Sequence, residues 1–174
     1  IIDDNVRGMH IVVVQDVANY TTQYMMNEEE VSLSQSDRYE ALRSAIRAAR
    51  ESAAERVTVV SPYFPSSRQE KRTNHKKKGK LREAIMAKKV ARDIERDGAD
   101  TVITLDIHNE AIEGFFDRTE LINVYAASDF IPYIASNFDL TNAVIGGPDV
   151  GSAPRCMFYA NILGVGIALA YKRK

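Results

Sequence analysis

Short, unbroken runs of β-branched residues, each followed by a segment of helical periodicity, constrain this chain most. "MHIVVVQ" (9–15), the start of "RVTVVSPYF" (near 57–61) and "TVITLDIH" (101–108) are largely continuous apolar runs, not alternating ones. A strand written this way is buried on both faces, and that is the condition of strands in a parallel sheet. The first run is bounded by Gly8 and Asp16, and the second is stopped by Pro62. From Asp37 onward, Tyr39, Leu42, Ala45, Ile46, Ala49 and Ala53 recur at intervals of three and four, which predicts one apolar helix stripe. Asp37 followed by Glu40 suggests a capping box at its start. A second helix is expected over 83–97, with Ala84, Ala87, Val90, Ala91 and Ile94 inward and Gly98 as the stop. Further along, the pattern predicts a short strand at 121–125, a helix at 128–137 and a strand at 142–146. A helix at 152–163 and a last strand, "VGIALAY", follow. Residues 17–35 are polar and mixed and carry no clear period. The alternation implies an α/β fold with a mainly parallel sheet and helices on both faces.

In such sheets, ligands gather at the carboxyl ends of the strands. Three loops bring polar groups to that edge: Arg68 and Gln69 after the second strand, Asp106 and His108 at the tip of the third, and Asp149 after the strand at 142–146. His108 and Asp149 are the candidate metal-site residues. Magnesium takes few protein ligands and bridges to phosphates, and an imidazole beside it acts through water or as a hydrogen-bonding group. As two residues alone, they are more often a satisfied strand-end histidine and a turn aspartate. Arg68 has the fork geometry for a phosphate, and Gln69 the amide for a base or ribose edge. "GGPDVGSAPR" (146–155) is a glycine turn entering a helix; it either binds an anion at the helix start or simply connects tightly. Lys172, Arg173 and Lys174 follow the final strand, either as a polar tail or as charge for a transferring phosphoryl group.

The remaining features exclude more than they assign. A net charge of −1 argues against a generally basic nucleic-acid binder. The stretch Arg68 to Arg92 does hold eleven Lys or Arg against Glu70 and Glu83, but it lacks interleaved aromatics. Its lysines 76–78 read as a solvated loop. The single cysteine, Cys156, precludes an internal disulfide and multi-cysteine zinc, and points to a reducing, cytoplasmic setting. No apolar run is long enough to span a bilayer. His10 and His75 suggest nothing specific.

Taken in order, "DDNVRG", "VVVQD", "SPYFPSSRQEKR", "AIMAKKVA", "ADTVITLDIHNEAIEGFFD", "GGPDVGSAPR" and "IALAYKRK" resemble the ribose-phosphate pyrophosphokinase family. The most specific part is 99–117, an aspartate, a hydrophobic residue and a histidine followed by Gly-Phe-Phe-Asp. The resemblance implies a type I phosphoribosyltransferase-like fold. It also implies an enzyme that moves the diphosphoryl group of ATP to ribose 5-phosphate with Mg2+, usually as a homo-oligomeric hexamer. By that resemblance Arg68 and Gln69 contact ATP, and His108 and Asp149 are magnesium-site residues. Lys172 matches the catalytic lysine and Lys174 a second basic position; Arg7 resembles a residue near a regulatory phosphate site. Neither nucleic acid nor membrane is implied as a partner. Departures include Glu70 for the usual aspartate, Tyr171 for the aspartate before the lysine, and Ser152 and Ala153 for glycine and valine. The segments 17–38 and 70–82 are longer than usual. The chain is expected to be a single amino-terminal domain, a fragment holding the ATP and magnesium half-site and inactive alone. The alternatives are a non-catalytic subunit that regulates synthetases, and a phosphoribosyltransferase proper, for which the acidic ribose-phosphate loop is missing.

Overall fold

The computed structural model describes residues 2–19, 21–72 and 83–171. The chain divides into two compact units, Ile1–Val124 and Tyr125–Lys174, each described by itself.

The first unit is built on a four-stranded sheet. Its strands are β1 (His10–Val14), β4 (Arg56–Val60), β5 (Thr101–Leu105) and β6 (Glu120–Val124), in that spatial order. All three pairings are parallel. The registers His10↔Arg56, Thr58↔Thr101 and Thr101↔Glu120 bring the carboxyl ends of the strands to one edge. The mainly parallel α/β architecture is therefore as the apolar runs implied. The central strands carry the burial: Val57, Val59 and Val102 are fully enclosed.

Helices α1 (Gln35–Glu51) and α2 (Met86–Asp97) contribute Leu42, Ile46, Ala49, Val90 and Ile94 to the same core. Each fully buried Val, Leu or Ile contributes about 1.5–3 kcal/mol. The start of α1 corrects the sequence reading. Ser34, not Asp37, is the cap: its Oγ accepts the Asp37 N–H, and the Asp37 carboxylate accepts the Ser34 N–H at 3.0 Å. Asp37 is thus the third helical residue of a capping box that begins three positions earlier. Ala53 also leaves the predicted stripe, because it lies beyond the helix in the left-handed region (φ 62°) and is exposed. α2 starts at Met86, three residues later than periodicity suggests, and ends at Gly98 in the left-handed conformation (φ 108°). A Cβ there would meet Arg50 Cγ at 2.8 Å.

The segment without a clear period holds an antiparallel hairpin, β2 (Gln23–Met26) and β3 (Glu29–Ser32). Its two-residue turn places both Asn27 and Glu28 at positive φ, the type I′ requirement. The hairpin is hung on Arg38, a buried residue of α1. Arg38 donates to the carbonyls of Leu33 and Thr22 and to Tyr24 Oη, and its guanidinium lies 5.4 Å from the Tyr24 ring.

The second unit holds α3 (Ala127–Asn137), then β7 (Val144–Gly147), α4 (Ala153–Leu163) and β8 (Gly166–Leu169). β7 and β8 pair in parallel, so β7–α4–β8 is one crossover. At Gly147 a side chain is impossible: a Cβ would press on Ser152 Oγ and lie 2.9 Å from Cys156 Sγ. Cys156 is buried and free, packed as expected of an apolar helix position.

Candidate functional site

The loop after β4 is fixed by its backbone and by one aromatic anchor. Leu105 donates its N–H to the Pro62 carbonyl at 3.0 Å, and Ser61 Oγ donates to the Tyr63 carbonyl at 2.9 Å. Phe64 is almost fully buried, edge-on to Phe116 at 6.2 Å between centroids. Ser66 then turns through positive φ (58°), and its carbonyl accepts the Gln69 N–H at 2.8 Å. The Gln69 carbonyl accepts the Ala87 N–H at the start of α2. With the chain held at these points, Arg68 and Gln69 both project into solvent.

A sharp corner at the end of β5 sets the direction of the next loop. Asp106 adopts the left-handed conformation (φ 46°), tolerable for an aspartate and rare for larger side chains. Its N–H donates to the Val124 carbonyl at 2.8 Å, and the next N–H, of Ile107, donates to Asn123 Oδ1 at 2.9 Å. Ile107 points inward and is buried. Asn109 caps a 3-10 turn, Glu110–Phe115, by accepting the Ala111 N–H at 3.0 Å. His108 is therefore thrust outward between two anchored neighbours and is exposed. The strand ends at Leu105 because the Asp106 turn breaks the ladder before the histidine.

Glu70 connects the two loops, and the sequence reading marked it only as a departure from a usual aspartate. It is buried; its Oε1 lies 3.5 Å from Asn109 Nδ2 and 3.4 Å from Lys71 Nζ. Burial alone would raise its pKa. A hydrogen bond from its own backbone N–H, then Lys71 and Asn109, outweigh that and hold the carboxyl below its ordinary value. Its Oε2 is buried without a partner among the described residues. Adjacency to Arg68 and Gln69 was the one signal that could have singled it out.

Asp149 belongs to the second unit and follows β7. Its Oδ1 accepts the Ser152 N–H at 3.0 Å, while Ser152 Oγ donates to its carbonyl at 2.6 Å. The residue is exposed. An exposed carboxylate with one oxygen already committed suits a largely hydrated cation better than an all-protein cage. No cluster of three His, Cys, Asp or Glu suited to a metal ion occurs among the described residues. Lys172 and Lys174 lie outside the described residues, as do His75 and lysines 76–78. No described helix is long and apolar enough to cross a membrane.

A family model described as the N-terminal domain of ribose phosphate pyrophosphokinase matches residues 1–98. The chain belongs to the ribose-phosphate pyrophosphokinase family. Among its relatives, ribose-phosphate pyrophosphokinase 4 of Saccharomyces cerevisiae is 35% identical over 92% of this chain and 46% of its own length. The ribose-phosphate pyrophosphokinase of Rhizobium meliloti is 34% identical over 99% of this chain and 49% of its own length. The crystal structure of phosphoribosylpyrophosphate synthetase from Mycobacterium smegmatis superposes with a TM-score of 0.77 at 25% identity, over 98% of this chain and 51% of that one. The chain thus spans about half the length of the curated relatives it matches.

Proposed function

We propose that the chain is the nucleotide- and metal-binding half of a ribose-phosphate diphosphokinase. The observation that carries this reading is the placement of Arg68–Gln69 and His108 on the loops leaving two hydrogen-bonded parallel strands, bridged by Glu70 and Asn109. Two loops held at one strand edge can present a cation and a fork donor to the same polyphosphate.

The reaction assigned to the whole enzyme transfers the β,γ-diphosphoryl group of ATP to ribose 5-phosphate. The anomeric hydroxyl oxygen attacks the β-phosphorus, the bond to the α-phosphate oxygen breaks, AMP leaves, and the hydroxyl proton passes to solvent. Magnesium, for which the resemblance assigns His108 and Asp149, would neutralise charge on the phosphate oxygens. Arg68 adds a bidentate donor to a phosphate, and Gln69 offers its amide to the nucleoside. Lys172 and Lys174 are assigned to the transferring phosphoryl group by the resemblance. The chain's contribution is placement and field, and no protein group need form a covalent intermediate. Homo-oligomeric assembly belongs to the same reading.

Equilibrium binding of a non-hydrolysable ATP analogue, with and without Mg2+, tests the proposal. Saturable, magnesium-enhanced binding that Arg68→Ala weakens at least about tenfold supports it. Binding indifferent to magnesium, to Arg68→Ala and to His108→Ala would overturn it. The 174-residue chain alone is expected to bind the analogue yet release no AMP from ATP and ribose 5-phosphate.

A further inference from the structure

The outward side of α2 carries a basic stripe that the proposed chemistry does not use. Lys88, Arg92 and Arg96 follow one another at four-residue intervals and so share a face. Eight residues of helix separate the outer two by about 12 Å. The opposite side of α2, with Ala87, Val90, Ala91 and Ile94, is in the core. Together with Arg72, Ile85, Lys89 and Asp93, the stripe lines a hollow of about 430 Å3. The stripe begins one residue beyond Ala87, whose N–H bonds the Gln69 carbonyl, and ends two residues before Gly98.

What distinguishes this groove is how its charges are spent. Every basic side chain of α1 has a partner: Arg38 bonds carbonyls, Arg43 and Arg47 both reach Asp97, and Arg50 reaches Asp100. On α2, Lys89 pairs with Asp93, and Arg92 with Asp117 and Glu95. Among the described residues no carboxylate pairs with Arg72, Lys88 or Arg96, although a chain of net charge −1 has acids in excess. Uncommitted cations converging on one hollow create a positive field there. One phosphate cannot touch both ends of a 12 Å stripe, whereas a ligand with two or more phosphates can. The overall acidity of the chain opposes a long nucleic acid and leaves a compact polyanion as the better match.

We propose that the α2 groove binds a compact polyphosphorylated ligand, with Lys88 and Arg96 as its end contacts. The inference does not rest on the nucleotide reading of the strand edge. The test uses inorganic tripolyphosphate as probe, in chelator, by titration calorimetry on an Arg68→Ala/Gln69→Ala background that mutes the strand-edge loop. Saturable binding is expected, weakened at least about tenfold by Lys88→Glu with Arg96→Glu, and orthophosphate should bind more weakly than tripolyphosphate. Each single reversal should give an intermediate loss, and matching thermal unfolding curves will show that the variants fold. Absence of saturable binding, insensitivity to the charge reversals, or tighter binding of a duplex DNA than of tripolyphosphate would each overturn the proposal.

Discussion

Glu95 of α2 accepts the backbone N–H of Thr119 at 2.9 Å through the same oxygen that takes the N–H groups of Asp117 and Arg118. A carboxylate on a helix thereby holds the chain between the Gly-Phe-Phe-Asp stretch and β6, at the amino-terminal edge of the parallel sheet. Burial alone would raise the pKa of Glu95. The Arg118 and Thr119 N–H groups and the Arg92 guanidinium outweigh that and lower it. With the folded pKa below the unfolded one, the stabilisation is present above the ordinary carboxylate pKa and is lost as pH falls through the folded value. Glu95→Ala should cost about 3 kcal/mol by leaving buried donors unpaired. Thermal unfolding between pH 7 and pH 3 checks both: the wild-type curve should approach the Glu95→Gln curve in acid.

Gly98→Ala tests the end of α2. The new methyl meets Arg50 Cγ, and Arg50 is the side chain that bonds the Gly98 carbonyl at 2.7 Å and the Asp100 carboxylate. Strain at positive φ plus the displaced arginine should cost about 2 kcal/mol. The expected readout is a lower denaturation midpoint with an unchanged slope.

Glu70→Gln retains the shape but removes the charge that Lys71 and Asn109 face. If Glu70 positions the β4 and β5 loops, ATP-analogue affinity should fall severalfold, while the unfolding temperature moves by only a few degrees. Equal affinity in the two proteins would assign Glu70 a purely structural place.

Arg38→Ala should release the β2–β3 hairpin without opening the main sheet. Hydrogen exchange read by residue separates the two outcomes: amides of 23–32 lose protection, while those of β4 and β5 keep theirs. Loss of protection everywhere would mean that the arginine supports the core.

The parallel sheet was legible because β4 and β5 are runs of mostly β-branched residues, and Gly98 marked its helix end correctly. The hairpin was not, since its turn uses Asn27-Glu28 where the recognisable signal is Asn-Gly, and its strands face solvent on most positions. Ser34 was overlooked because Asp37 is itself a good cap, and only coordinates show which of the two bonds the other. Arg38, Glu70, Glu95 and Asp97 are buried charges, each with at least one partner distant in sequence, so composition assigns them wrongly to the surface. Arg68, Gln69 and His108 were readable at the strand edge, but the Glu70–Asn109 bridge beneath them depends on a contact between residues 39 positions apart.

The attachment of the hairpin has an evolutionary corollary. Among the described residues its strands pair only with each other, and its side-chain hydrogen bonds to α1 run through Arg38. A lineage could gain, trim or exchange such an appendage without renegotiating the register of the parallel strands. Variation in length between relatives should therefore accumulate at this position, while the architecture around it is inherited intact.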